Sequence, residues 1–542
     1  MATSYIFDGK KVKIPGVYSS IKSGIKTQPS ALTFGTALLL DTGKGAGWGG
    51  GSGIEGTLQQ DKNSVYQFNE IDSFREFIGG GVLWDVAVPL FSPGGVGSGI
   101  QGVSNLIYVR CAETAPGALV ITWAGGGANG GTLTLQSKLE GLVANGTVTS
   151  GKLVDGLAVK MAAGTVDAAK FTLSFYRSSY RGTDGTNDYE FIPAADTKPK
   201  LLVTSIEFDN IQTVIDWMAE DLTFQSHFNL TASTVTGTGE VTSADLATYL
   251  AFTPFASGTE TYNSNSVDSA LDALADVDID FILTDKYGTA DYNDTVNTKL
   301  VTWIANVSKT QPDLYVGGGD DDTEFTGAGS STAMATYFDS QYVSVVHGSI
   351  LRNTPAGVKE RDSYYTAAYV LGREAGLAPQ VPITFKSINI DGVKHQLNNK
   401  QLGIGLDSGI LMIKEEGGTF DIVKGINTLQ RNKNLINPDG TTSSKQVRRT
   451  ARQINKELVF NIRRDLLKVE SGVNRATLTE EDVKSYIQGY LRLRTANSIT
   501  DNLILGFRNI VVTLDADAYF VNYEIISNRE VSFVFATGFI IE

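Results

Sequence analysis

Residues 31–40, Ala-Leu-Thr-Phe-Gly-Thr-Ala-Leu-Leu-Leu, form an apolar run without the alternation of a half-exposed strand. A strand with no polar face is buried on both sides, which is typical of strands in a sheet covered by helices. Working outward, Ser73 to Ile78 reads as a short helix ended by Gly79-Gly80-Gly81. Asn105 to Cys111 (NLIYVRC) reads as the next strand. From about residue 200 strands and helices alternate. Leu201–Ile206 is a strand, and Asn210–Glu220 is a helix with Ile211, Val214, Ile215 and Met218 on one face. Helix Val267–Leu274, strand Ile279–Leu283, helix Lys299–Val307, strand Tyr342–Val346 and helix Asp362–Ala375 follow. Such alternation predicts sheets covered by helices.

Two other textures flank this one. Between about 112 and 199 the chain turns to Gly, Thr, Val and Ser with frequent turn signals, which predicts a small β-domain; Phe171–Tyr176 is its clearest strand. Toward the C-terminus, Val447, Ala451, Ile454, Leu458 and Ile462 recur at helical spacing. A second helix starts at the capping-box pattern Thr479-Glu480-Glu481-Asp482, with Val483, Tyr486, Ile487, Tyr490 and Leu491 as its apolar face. Three strand-like runs close the chain: Ile510–Leu514, Tyr519–Ile525 and Val531–Phe535. The expected fold class is therefore α/β plus β in a multidomain chain. Mixed sheets covered by helices form its central and C-terminal parts, a β-rich domain is inserted, and both ends are extended.

Composition narrows the functions. The 542 residues are 42% hydrophobic, enough for several cores, and carry a net charge of −14. That balance argues against a general binder of nucleic acid or anionic membranes. Cys111 is the single cysteine, so no intrachain disulfide is possible and it reads as a small buried hydrophobe. His227, His347 and His395 show no i, i+4 pairing, which supplies metal sites and histidine catalysis poorly. No cofactor is expected. The N-terminus lacks the apolar core of a secretory signal and no 18-residue apolar stretch occurs, so folding in a cytoplasm is expected.

Each motif suggestive of chemistry has a plainer reading. Gly45 to Gly50 spells G-x-G-x-x-G after a strand, but Gly51-Ser52-Gly53 cannot start the helix that would meet a pyrophosphate. Asp276, Asp278 and Asp280 alternate as a divalent ion would require, at a junction where solvated acids are also common. Asp320-Asp321-Asp322 with Glu324 lacks the spacing of a calcium loop. His347 lies near Ser349, without a nucleophile-elbow sequence. The strongest charge signal is Lys445, Arg448, Arg449, Arg452, Lys456, Arg463, Arg464 and Lys468 on one predicted helix, opposed only by Glu457 and Asp465. It reads either as a solvated face or as a surface docking onto an acidic protein; with Phe460 the only interleaved aromatic, it does not read as a single-strand binder.

The two ends complement each other. Residues 1–26 hold Lys10, Lys11, Lys13, Lys22 and Lys26 against Asp8, a sum of +4. Residues 515–542 hold Asp515, Asp517, Glu524, Glu530 and Glu542 against Arg529, a sum of −4. An extended arm of this length reaches up to roughly 85 Å, enough to leave its own subunit. Strand addition between copies would then be heterologous and would build rings or open helices. Folding of both ends onto their own domain is the other reading.

The order of the motifs resembles the contractile-tail sheath family of bacteriophages and related injection machines. Ile14-Pro15-Gly16-Val17-Tyr18 is similar to that family's P-G-V-Y arm. Ala31–Leu40, then Phe74–Gly81 (FREFIGGG), then Asn105–Arg110 (NLIYVR) resemble its strand, helix and strand in turn. Asp276–Leu283 (DVDIDFIL), Thr419–Leu429 (TFDIVKGINTL), Val447-Arg448-Arg449 and Tyr523–Ile541 resemble its central strand entry, late strand, helix start and terminal strands. Gly425-Ile426-Asn427 departs from the family's Trp-Gly-Ala, and the glycine-rich loop at 43–64 has no assigned role.

The resemblance implies a subunit that polymerises with itself as stacked hexameric rings around a tail tube. It implies contraction of that stack to drive the tube through a cell envelope. Partners would be other copies, the tube protein, and baseplate and tail terminator proteins, with no nucleic acid and no membrane. Its place would be the virion tail, assembled in a host cytoplasm. Residues 1–30 would be an arm for strand exchange, 31–111 the first part of the core, 112–199 a β-rich outer insertion, 200–418 the central α/β domain, and 419–542 an inner domain with a terminal strand arm. Val12, Ile14, Pro15, Gly16, Val17 and Tyr18 would form the inter-subunit arm. Tyr519, Val521, Tyr523, Val531, Phe533 and Phe535 would be the strand residues it pairs with. Arg448, Arg449, Arg452, Lys456 and Arg463 would dock the tube. Two other functions stay open on the residues: a non-contractile appendage or adhesin subunit, and a metal-dependent hydrolase built on Asp276, Asp278 and Asp280.

Overall fold

A computed structural model describes residues 5–7, 10–12, 35–41, 65–78, 82–95, 98–110, 113–126, 129–140, 144–178, 199–261, 264–284, 295–308, 310–319, 325, 327, 329–354, 357–431, 449–450, 452–454, 456–458, 462, 479–495, 503–515 and 518–526. Ile14–Tyr18, the 43–64 loop, Cys111, the 320–324 acids, Arg448, Arg463 and Val531–Phe535 lie outside them.

Thr36–Asp41, which includes the end of the apolar run 31–40, lies within a seven-stranded sheet. Its order is Ile410–Leu411, Val343–Val346, Asp313–Gly317, Phe281–Thr284, Thr36–Asp41, Asn105–Arg110 and Val65–Phe68. All neighbours are parallel except the last pair. Because both faces are covered, residues that look like continuous apolar runs divide by parity. Ala37, Leu106, Tyr108, Phe281, Leu283, Tyr315 and Val346 enter one core with the helices Ile71–Ile78, Val82–Phe91 and Ser363–Ala375. Leu38, Ile107, Val109, Ile282, Leu314, Val316, Val343 and Val345 enter the other, with Ser264–Ala273, Thr295–Asn306, Ser331–Phe338 and Asn399–Asp407. Gly372 brings two helices backbone to backbone: a Cβ there would lie 2.2 Å from the Pro89 carbonyl oxygen.

The β-rich domain is larger than its composition suggests. Strands Lys200–Thr204, Phe171–Ser178, Lys152–Ala163 and Thr253–Pro254 form one antiparallel sheet, joined by Thr147–Thr149. Phe228–Val235, Gly131–Glu140, Glu113–Trp123 and Thr259–Thr261 form a second. Trp123, Leu135, Met161 and Phe175 share one core with Ile211, Val214, Trp217 and Met218 of the helix Ile211–Glu220. The expected boundary at 199/200 is thus overturned, since the insertion runs from 113 to 261. Leu201–Ile206 followed by a helix looks like the α/β texture, but this strand pairs antiparallel with 171–178.

The C-terminal module has its own core. Ile454, Leu458 and Ile462, at helical spacing, pack against Val483, Ile487, Tyr490 and Leu491 of the helix Glu480–Thr495. Val512, Tyr523 and Ile525, from an antiparallel hairpin of Gly506–Asp515 and Ala518–Ile526, complete it. Thr479 and Asp482 cap the 480–495 helix, with Thr479 N donating to Asp482 Oδ2 over 2.8 Å and Asp482 N to Thr479 Oγ1 over 3.2 Å.

Candidate functional site: a buried ionic seam and two terminal hairpins

Arg449, Arg452 and Lys456 lie at i, i+3 and i+7, so they share one face of their helix. That face is turned inward. Arg449 is fully buried; its Nη1 donates to Glu374 Oε1 over 2.8 Å, and its other donors reach the carbonyls of Ala378, Pro379 and Val381. Burial pulls the Arg449 guanidinium below its ordinary value, and the carboxylates of Glu374 and Asp313 counter part of that. Arg452 Nη2 donates to Asp313 Oδ2 over 3.1 Å and Nη1 to the Gln311 carbonyl over 3.2 Å, with the guanidinium over the Phe281 ring. Lys456 Nζ bonds Asp280 and lies 2.6 Å from Asp278 Oδ1.

Asp280 and Asp313 sit at the amino ends of parallel strands, and Glu374 near the carboxyl end of the helix Ser363–Ala375. Asp280 precedes Phe281–Thr284, and Asp313 opens its strand. Asp280 Oδ2 also accepts from the backbone amides of Gly35 and Thr36 over 3.1 and 3.2 Å, satisfying donors that begin a neighbouring strand. Both sequence-level readings of the basic helix, a solvated face and an outward docking face, are therefore corrected for Arg449, Arg452 and Lys456. Desolvated cations need buried anions, and this chain supplies them itself. Asp280, fully buried, is likewise not a solvated junction residue. Among the described residues no three His, Cys, Asp or Glu side chains gather as a metal would require.

Glu457, on a further face of the same helix, accepts from the Tyr490 hydroxyl and pairs with Arg494, whose Nε donates to the same hydroxyl over 3.0 Å. Burial first, then the adjacent Glu457 charge, pushes the Tyr490 phenol far above its ordinary value; burial does the same to Tyr523.

His347 is buried, with Nδ1 2.8 Å from Ser331 Oγ and its ring against Phe325. Ser331, at the start of a helix, thus brings a hydroxyl to it, a pairing that sequence proximity to Ser349 did not suggest.

At the termini, Tyr5–Phe7 and Lys10–Val12 pair as a hairpin with Val12 opposite Tyr5, so the start of the expected arm is folded on itself. Tyr519 and Val521 pair with Leu514 and Val512 of the same chain, and Tyr523 lies buried in the module core. Each hairpin is a two-stranded sheet whose outer edges meet no other described strand. Glu524, one of the acids in the C-terminal charge sum, pairs with Arg508 over 2.7 Å.

Comparison with known proteins adds both sequence and fold. No family model matches the chain. A stretch of 216 residues is 24% identical to the tail sheath protein of Bacillus phage SP01. That stretch is 39% of this chain and spans about a third, 35%, of the relative. The crystal structure of a sheath tail protein of Listeria innocua superposes with a TM-score of 0.50 at 13% identity, over 92% of this chain and 93% of that one. A sheath tail protein of Desulfitobacterium hafniense gives 0.52 at 13% identity, over 95% of this chain and all of that one. The resemblance drawn from the ordered motifs is thus met by a relative in sequence and by relatives in fold.

Proposed function

We propose that this chain, which has the fold of the sheath tail proteins, is a structural subunit of a contractile tail sheath and carries no catalytic role. Copies assemble as stacked hexameric rings around a tail tube and shorten to drive the tube through an envelope, acting in a virion tail with baseplate and terminator proteins as partners. The observation that carries this reading is the fold match over more than nine-tenths of the chain, joined to a sequence match with a phage tail sheath protein.

The hairpin edges support assembly by strand addition. Unpaired ladder groups on a strand recruit other strands. The segment 13–26 beyond the first hairpin holds Lys13, Lys22 and Lys26, opposite in sign to the acidic C-terminal end. Ile14–Tyr18 would add to an edge of a neighbouring copy near Ala518–Ile526, with Val531, Phe533 and Phe535 in the same shared sheet. Tube docking stays with Arg448 and Arg463, because the seam already engages Arg449, Arg452 and Lys456.

Electron microscopy of the purified chain tests this reading. Tubes or rings of six-fold symmetry are expected, and a chain without residues 1–26 should stay folded but form neither. A full-length chain that remains monomeric at high concentration would overturn the sheath reading. Tubes formed by the shortened chain would overturn the arm.

A further inference from the structure

The core of the C-terminal module stays separate from both cores of the central sheet. Ile454, Leu458, Ile462, Val483, Ile487, Leu491 and Val512 form the core of the C-terminal module, and none belongs to either core of the central sheet. Among the described residues of 449–458, what crosses between them is polar. Arg449 reaches Glu374, Thr450 Oγ1 donates to the Pro379 carbonyl over 3.1 Å, Arg452 reaches Asp313, and Lys456 reaches Asp278 and Asp280.

The two kinds of contact behave differently under load. Apolar contact is non-directional and yields gradually as area is lost. Buried ion pairs hold one geometry, and their net gain is small because desolvation offsets attraction, yet removing one partner strands the other at high cost. The seam also has a loose end. Arg452 Nε is buried without a hydrogen-bond partner, Asp280 Oδ1 lying 3.9 Å away. Opening would hydrate that group, together with the charged side chains of Arg449, Glu374, Asp313, Lys456 and Asp280, so the docked and undocked states are closer in free energy than apolar packing would leave them.

We infer that the helical stretch 449–458 is a detachable ionic strap, by which the C-terminal module docks on the amino ends of the central strands and from which it undocks as one unit. The strap travels with the module, because Ile454 and Leu458 on its other face are part of the module's core. Its acidic seats, Asp280 and Asp313, stay with the sheet through their own backbone pairing: Asp280 N donates to the Thr36 carbonyl over 2.9 Å, and Asp313 N to the Asp280 carbonyl over 3.0 Å. Release therefore separates two folded bodies along a line of charge. The inference concerns the single chain and holds whatever assembly the chain enters.

Hydrogen exchange read by mass spectrometry on the full chain tests it, comparing the natural sequence with Arg452→Met. The variant leaves Asp313 buried without its guanidinium. Exchange at the seam, in 310–313, 378–381 and 449–458, should rise by about a hundred- to a thousand-fold, while the module's own core (483–491, 506–515) and the sheet (281–284, 343–346) stay within about threefold. Joint loss of protection in both sets would show one cooperative body and overturn the inference; no change in either would show that the seam couples nothing, which also overturns it. The paired variant Arg452→Met with Asp313→Leu removes both charges and should recover at least a tenfold part of the lost protection. A paired variant as open as the single one overturns the ionic origin. Should Arg452→Met not yield a folded chain, Lys456→Gln gives the same comparison with the same two outcomes.

Discussion

Replacing Tyr490 by Phe removes one hydroxyl and nothing else. The ring keeps its place in the module core beside Ile487 and Leu491, so no cavity forms and the loss measures the hydrogen bonds alone. The hydroxyl donates to the Glu457 carboxylate, and a bond to a charged group is worth about 1.5–3 kcal/mol net. Glu457 is not stranded by the change, because Arg494 still pairs with it and Gln453 Nε2 donates to it over 3.1 Å. The expected cost is therefore near the lower bound, about 2 kcal/mol, or close to thirty-fold in the opening of the module. Amide exchange of residues 483–491 reads it directly. The pH dependence gives an independent check. The folded value of Tyr490 lies above its ordinary 10.0, so its contribution is complete below pH 10 and is lost as pH rises beyond it toward the folded value. In that window each pH unit removes about 1.4 kcal/mol per tyrosine kept protonated. Tyr490→Phe should flatten part of the alkaline loss, and Tyr523→Phe a further part, since burial raises Tyr523 likewise. Opening within threefold of the natural chain at pH 7, with an unchanged alkaline profile, would refute the reasoning.

Two further outcomes rest on other parts of the fold. The carboxylate of Glu207 accepts from the amides of Thr165, Val166 and Asp167 over 2.6, 2.8 and 3.0 Å, and these bonds hold it below its ordinary 4.5. The turn is then held above that pH and released as pH falls through the lowered value. Amide exchange at 165–167 should show that release, while Glu207→Gln should be open at every pH. Arg361→Leu leaves Asp85, only 6% exposed, without its 2.9 Å partner across the helix 82–91, and should cost about 3–5 kcal/mol in urea unfolding of the full chain; a change under about 1 kcal/mol would contradict the burial of that pair.

Much of the central sheet was legible because its signals are local. A strand buried on both faces must be apolar throughout, and that is visible in TALLLD, NLIYVR and VSVV without knowing any partner. The caps Asn210, Asp362 and Thr479 announce helix starts through side chains that bond amides two or three residues on. Asp313–Gly317 was missed, since the four residues between Pro312 and three glycines resemble a turn region as much as a strand. Helix Val82–Phe91 was missed because it is apolar nearly all round and contains Pro89, leaving no periodicity to read.

The sequence by itself determined the kinds of segment, their order, and the resemblance their order carries, because propensity and hydrophobic period are properties of neighbouring residues. Only the tertiary structure decided which segments pair. It carried the insertion on to residue 261 by pairing 200–204 with 171–178 and 259–261 with 113–115. It also turned a row of cations inward, because the acids that neutralise Arg449, Arg452 and Lys456 lie 75, 139 and 176 residues away along the chain. Charge counted along a chain sees a basic surface; Coulomb attraction acts through space, and the fold determines which groups are near.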